Sequence, residues 1–280
     1  MRVALAQTAP VLGDLDANLA QAKDAVAQAR SERADVVVFP ELSLTGYGVG
    51  QVDRDLDLQV DDERLLALAE QAGDGGVLVG FQEGGHVLHS YNAAAYFERG
   101  ELRHLHRKLY LPTWGVFEER KHFSPGQSLR AYTTRWGRMA TLICNDAWQP
   151  QLAFIAVQDG ARVLFMPSTS AQIPSQEAWS NRTYWRDIAR FYARMYQCFV
   201  VFVNRVGQEG PMRFWGGSQV LDPWGEVVAE APQDAEALVV AEVDLAEVRR
   251  RRRSVPLVKE ARLALLEREI RRLADEGGDL

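Results

Sequence analysis

Met139-Ala-Thr-Leu-Ile-Cys144-Asn145-Asp146-Ala147-Trp148 is the stretch on which the reading of this chain turns. The apolar run from Met139 to Ile143 has the length and character of a buried strand, and the polar residues after it mark the loop where that strand surfaces. A thiol at this point is held rigidly by the strand while its sulfur faces a cleft. Taken alone, a cysteine beside apolar residues is more often a small core hydrophobe than a nucleophile. Two further segments, each with a charged residue at a strand end beside apolar residues, tip the reading toward chemistry.

The first is Val36-Val-Val-Phe39-Pro40-Glu41-Leu42-Ser43-Leu44-Thr45-Gly46-Tyr47. Val36 to Phe39 is a β-branched and aromatic run, and Pro40, which has no N–H to give a ladder, stops it. Glu41 follows, flanked by Phe39, Leu42 and Leu44. By itself it reads equally well as a capping or solvated glutamate. An apolar setting would raise its pKa and suit it to general-base work near neutral pH. The second is Leu102-Arg-His-Leu-His-Arg107-Lys108-Leu109-Tyr110-Leu111-Pro112. It returns from a hairpin that turns at Glu98-Arg-Gly100-Glu101. Most lysines are solvated, but Lys108 ends a strand between apolar neighbours, where an unpaired ammonium is expensive to bury.

These three segments resemble the carbon–nitrogen hydrolase (nitrilase) superfamily and its Glu-Lys-Cys triad. A fourth match, Phe117-Glu118-Glu119-Arg120-Lys-His-Phe123-Ser-Pro125-Gly126, is similar to the family's Phe-x-Glu-x-x-x-Phe-x-x-Gly segment and places its glutamate at Glu119. The likeness continues through Met166-Pro167-Ser168, Val203-Asn204-Arg205-Val206-Gly207, Gly216-Gly217-Ser218 and Asp222-Pro223-Trp224-Gly225, covering the chain from Val3 to about Val243. The motifs around Lys108 and Glu119 are most similar to the glutaminase domain of glutamine-dependent NAD synthetase. The resemblance implies an α/β fold, a four-layer α-β-β-α sandwich, and a thioester mechanism. In it Cys144 attacks, Glu41 carries the proton, and Lys108 with the backbone N–H of Asn145 stabilises the oxyanion. Glu119 holds Lys108 or receives the leaving amine. Asn145 departs from the larger or acidic residue often found after the nucleophile, which bears on substrate choice. A stand-alone amidase acting on a small linear amide is the expected function. A nitrile hydrolase and an ammonia-supplying glutaminase subunit of a separate synthetase are the alternatives.

The remaining features fit one domain spanning residues 1–280. A chain of 280 residues with 47% hydrophobic composition can bury about three quarters of its unfolded surface. A net charge of −6 argues against nucleic-acid and acidic-membrane partners, with Arg249 to Arg253 a solvated helix end or a carboxylate-binding interface. Two cysteines make no disulfide framework, so a reducing cytoplasm is expected. No signal peptide and no span of roughly 20 apolar residues is evident. Cys198, inside an apolar run, reads as core. His104 and His106 share a strand face without a third ligand at metal spacing, and no metal or cofactor is expected.

Strands and helices alternate, with helices expected over about 16–30, 64–72, 150–159, 176–197 and 256–274. Three short strands are expected between Asn204 and Val243. Substrate-contacting candidates are Asn145, Trp114 and Phe117 before Glu119, Ser168 at the head of the 168–172 loop, and Trp179 and Arg182, the last suited to a distal carboxylate. The 176–197 helix carries Trp179, Tyr184, Trp185, Phe191, Tyr192, Met195 and Tyr196 among four arginines. That is the composition of an interface, and a homodimer is expected.

Overall fold

A computed structural model describes residues 1–86, 89–115, 117–172 and 181–277. Two six-stranded sheets form its body. The first runs β15 (Ala237–Glu242), β1 (Arg2–Gln7), β2 (Val36–Val38), β3 (Gly76–Gly84), β4 (Ser90–Glu98), β5 (Glu101–Arg107). The second runs β14 (Val227–Glu230), β13 (Gln219–Leu221), β10 (Phe199–Asn204), β8 (Val163–Ser168), β7 (Gly137–Thr141), β6 (Tyr132–Thr134). Each is built on three parallel strands, β1-β2-β3 and β10-β8-β7, with antiparallel strands on both flanks.

Parallel neighbours need crossover connections, and helices supply them. α1 (Leu15–Ser31) joins β1 to β2, α2 (Glu63–Gln71) precedes β3, α3 (Pro150–Gln158) joins β7 to β8, and α4 (Asn181–Tyr196) precedes β10. Asp14 caps α1 by accepting from the Ala17 N–H at 3.1 Å, satisfying a donor that the first helical turn leaves open.

Side-chain alternation along the strands sorts the core into layers. Val36 and Val38 turn inward with Val3, Leu5, Ile143, Phe165 and Val201, filling the space between the sheets. Val37 and Phe39 turn outward with Val77 and Val79 beneath Leu19, Val26, Leu65 and Leu68 of α1 and α2. On the second sheet, Leu164, Met166, Val200 and Phe202 face Ala153, Ala156, Trp185, Ala189 and Tyr192 of α3 and α4. Strands buried on both faces read as unbroken apolar runs. The result is the expected α-β-β-α sandwich.

Three segments depart from the sequence reading. Five strands, not three, follow Asn204. The additional pair is a hairpin of β11 (Val206–Glu209) and β12 (Met212–Trp215), which with β9 (Ala171–Gln172) makes a small third sheet. Its strands are four residues or fewer and partly exposed, too short to show a period. A helix not among those expected, α5 (Leu245–Ser254), forms after β15, capped by Asp244, whose side chain accepts from Ala246 N at 2.9 Å, and the run Arg249 to Arg253 lies at its C-terminal end, as expected of it. The final helix, α6 (Leu263–Asp275), starts later than expected because Arg262 takes a left-handed φ of 48°. α4 divides its large apolar side chains: Trp185 and Tyr192 pack on the second sheet, while Tyr184, Phe191 and Met195 remain exposed.

Phe165 is fully buried between the sheets and stacks on Tyr96 with ring centroids 6.4 Å apart. Phe165→Ala should therefore lower the unfolding free energy by ~3–5 kcal/mol, the range for a large aromatic lost from a packed core. Denaturant titration measures it, and a loss under about 1 kcal/mol would mean that the sheets are not held apart by this layer.

Candidate active site

The two sheets bring four strand-end segments to one place. On the second sheet, β7 is continued by Leu142, whose N–H bonds to Phe165 O at 2.9 Å. The chain then turns sharply into a short 3₁₀ segment, Cys144–Trp148. Cys144 itself has a φ of +44°, a conformation that side-chain-bearing residues seldom adopt and that proteins keep mainly where function requires it. The turn leaves this thiol half-buried, unlike Cys198, which is wholly enclosed.

On the first sheet, Pro40 ends the outward run of β2 and Glu41 follows. The turn at residues 40–42 lies directly on β3 at Gly80. A Cβ there would fall 2.5 Å from the Pro40 carbonyl oxygen and 2.6 Å from Leu42 N, so only glycine admits this approach. Glu41 is buried and saturated with donors. Oε1 accepts from Lys108 Nζ and Asn92 Nδ2, both at 2.7 Å. Oε2 accepts from Thr169 N at 2.8 Å and Thr169 Oγ1 at 2.5 Å. Lys108 follows β5 and has no exposed surface; its ammonium donates a second bond, 2.7 Å long, to Glu119 Oε1. Glu119 also accepts from the Tyr47 hydroxyl at 2.7 Å, and its other oxygen, Oε2, is buried without a partner among the described residues. Tyr47 is held in turn by Glu209, which accepts from the N–H groups of Tyr47 at 3.1 Å and Gly48 at 3.0 Å and pairs with buried Arg205.

The charges set one another's protonation. Burial alone would strip the proton from Lys108, but the carboxylates of Glu119 and Glu41 more than reverse this and hold it well above the usual lysine range. Burial pushes Glu119 up to about 7, helped by the Glu41 carboxylate and opposed by Lys108 and the Tyr47 hydroxyl. Burial and the Glu41 carboxylate push the Cys144 thiol well above its ordinary value, with Lys108 pulling the other way. The resting sulfur is thus a thiol beside a carboxylate, not a preformed thiolate, and needs a base to attack.

Around Cys144 lies a cavity of about 20 Å³, little more than one water molecule requires. Among the described residues its walls include Trp114, Phe117, Trp148 and Trp185, with Glu119 the one charged side chain. Trp114 and Phe117 meet edge to face at 4.9 Å. Of the residues expected to touch substrate, Asn145, Trp114 and Phe117 line this cavity. Asn145 donates from Nδ2 to Tyr110 O at 3.1 Å.

Two others are placed elsewhere. Ser168 is fully buried and donates to Met166 O at 3.2 Å, while its neighbours Thr169 and Ser170 reach the cavity. Arg182 points to Gln172, at 3.2 Å, to Gln233 and to Asp234, at 3.6 Å, and is not among the lining residues. Trp179 lies outside the described residues. Asn92 and Tyr47 were not assigned roles from sequence. The signal for Asn92 was an amide within the apolar run of β4, a polar group that needs a partner once buried.

The chain has relatives among known proteins. The family model for carbon–nitrogen hydrolases matches residues 2–253. A glutamine-dependent NAD(+) synthetase of Thermotoga maritima is 32% identical over 250 residues, covering 88% of this chain but 42% of that protein's length. An N-carbamoylputrescine amidase of Arabidopsis thaliana is 28% identical over 266 residues, covering 89% of this chain and 88% of its own. The crystal structure of a carbon–nitrogen hydrolase from Helicobacter pylori G27 superposes with a TM-score of 0.87 at 25% identity, covering 96% and 98% of the two chains.

The raised pKa of Glu119 gives a stability signature. A carboxyl group that ionises at about 7 when folded and at 4.5 ordinarily favours the folded state while protonated. Its contribution is full below pH 4.5 and is lost as pH rises through 7. Glu119→Gln, which cannot ionise, should flatten the fall in denaturation midpoint across that window. Parallel curves for the two proteins would show that Glu119 does not titrate there.

Proposed function

The chain belongs to the carbon–nitrogen hydrolase family, a class whose amidases are cysteine-dependent, and from that premise we propose that it hydrolyses the carbon–nitrogen bond of a small linear amide. The observation that carries this reading is the fully buried Glu41–Lys108–Glu119 cluster set against a half-buried cysteine in a strained turn. In the proposed cycle, Glu41 takes the thiol proton as Cys144 Sγ attacks the amide carbon. Lys108 and the Asn145 backbone N–H stabilise the oxygen as it becomes negative. The proton held by Glu41 passes to the departing ammonia, leaving a thioester. A water deprotonated by Glu41 then releases the carboxylic acid and restores the thiol. Glu119 fixes the Lys108 ammonium, and its unpartnered Oε2 is an acceptor for the amide N–H₂.

The likeness to an NAD(+) synthetase favours a second reading, glutamine as substrate. Against it, no lysine or arginine lines the cavity among the described residues to meet an α-carboxylate. The aromatic walls suit an uncharged or cationic tail better. A reducing, cytoplasmic setting suits the mechanism, since the nucleophile must remain a thiol. We also propose a homodimer formed through the exposed face of α4 with Ile155 of α3, where Tyr184, Phe191 and Met195 stand among Arg186 and Arg194.

Ammonia release from a panel of small amides, carbamoyl amines, glutamine and nitriles tests the reading, with amides expected to be turned over. Cys144→Ala should lower turnover on the order of 10⁴-fold or more, whereas Cys198→Ala should retain most activity. Release from nitriles alone would replace amidase by nitrile hydrolase. Light scattering at micromolar concentration should give a dimeric mass that Phe191→Glu reduces to the monomer's; a monomeric wild type would refute the dimer.

A further inference from the structure

We propose that Asp146 is a positioning residue that locks the thiol-bearing turn of one sheet to the ammonium-bearing strand end of the other. The proposal rests on the reading of Cys144 and Lys108 as the reacting pair. Asp146 has no exposed surface, and both of its oxygens are fully used. Oδ1 accepts from the N–H groups of Leu109 at 3.0 Å and Tyr110 at 2.9 Å. Oδ2 accepts from Ile143 N at 3.2 Å and lies 2.9 Å from His106 Nε2, which donates to it. Four donors fill the acceptor sites of one carboxylate.

The identity of those donors is what points to function. Ile143 precedes the nucleophile and Asp146 follows it by two residues, so the carboxylate spans the turn in which Cys144 takes its left-handed φ. His106 and Leu109 flank Lys108 on either side. β5 ends at Arg107, so beyond it the N–H groups of Leu109 and Tyr110 have no ladder partner, and the Asp146 carboxylate takes the place of one. One side chain therefore fixes both segments with charge-assisted bonds, which are shorter and stronger than neutral ones. Cys144 comes from the second sheet and Lys108 from the first, and Asp146 and His106 supply a direct polar tie between the two. Its task is geometric: Asp146 touches no reacting atom.

Asp146→Asn tests this, because the amide must turn its N–H₂ toward one of the two donor pairs and give up that half of the tie. In the wild-type background of measurable amide hydrolysis, the variant should lose about 10²-fold in kcat with KM nearly unchanged. The rate of Cys144 alkylation by iodoacetamide should change in parallel, with circular dichroism preserved. His106→Leu should lower kcat in the same sense, and His106→Gln, which keeps a donor toward Oδ2, should restore most of it. A folded Asp146→Asn protein with wild-type kcat and alkylation rate would overturn the proposal. So would full activity in His106→Leu should Asp146→Asn fail to fold. If the wild type hydrolyses no amide, the functional reading fails by itself. The alkylation rate then decides the positional claim, an unchanged rate in Asp146→Asn refuting it.

Discussion

An ammonium with no access to water is the constraint around which this protein is arranged. Lys108 is fully enclosed, and a buried cation without close counter-charge would lose its proton. It is kept charged by two carboxylates at 2.7 Å, each from a different segment. Those carboxylates need donors of their own, which Asn92, Thr169 and Tyr47 provide. The demand then spreads outward: Tyr47 is set by Glu209, Glu209 is neutralised by Arg205, and Arg205 NH2 donates to Pro10 O at 2.9 Å. A chain of linked polar groups thus runs from the ammonium through Glu119 to Pro10, near the start of the sequence. Removing one partner would leave a buried charge exposed to the full desolvation penalty.

The sandwich makes such a cluster affordable by giving it two rigid walls. Glu41 and Lys108 stand beyond the ends of β2 and β5 in the first sheet, Cys144 and Thr169 beyond the ends of β7 and β8 in the second. The layer of Val3, Leu5, Val38, Phe165 and Val201 fixes the spacing of those sheets. Close-packed interiors resist small displacements, so groups mounted on opposite sheets hold their separation without direct bonds at every point. Where the strands end, the local devices take over: glycine at position 80 lets the Glu41 turn sit against β3, and Asp146 holds the two strand ends together.

Glu41 and Cys144 stood out in the sequence because each closes an apolar run with a group that such a run does not ordinarily carry, whereas Lys108, after Leu102-Arg-His-Leu-His-Arg107, stood out only through the resemblance of Arg107-Lys108-Leu109-Tyr110-Leu111-Pro112 to the family's motif. The layers were legible for a related reason, since parallel strands covered on both faces show as continuous β-branched segments. What could not be read is pairing across long separations. Thr169 lies 128 residues from Glu41, and Asn92 lies 51; the apolar run around Asn92 shows that its amide needs a partner, but nothing local says that the partner is Glu41. Arg182 shows the same limit from the other side. A guanidinium near the start of α4 matches a carboxylate in principle, yet its partners are Gln172, Gln233 and Asp234, two of them on a loop fifty residues later. The short β11–β12 hairpin escaped because four-residue strands with exposed Gly207 and Gln208 carry no period.

The charge balance around the sulfur bears on when the nucleophile is made. Burial raises the thiol most, and the charge balance adds to it: one ammonium faces two carboxylates, so a resting thiolate would add a further negative charge to a site already short of positive charge. A helix N-terminus or a neighbouring imidazolium would have produced a standing thiolate; this site has carboxylates in their place. Proton transfer to Glu41 is therefore favoured only when the negative charge has somewhere to go, and in the proposed cycle that place is the amide oxygen beside Lys108. In that cycle deprotonation and attack go together on a bound substrate. The same arrangement favours the protonated thiol, the form less reactive toward oxidants and electrophiles.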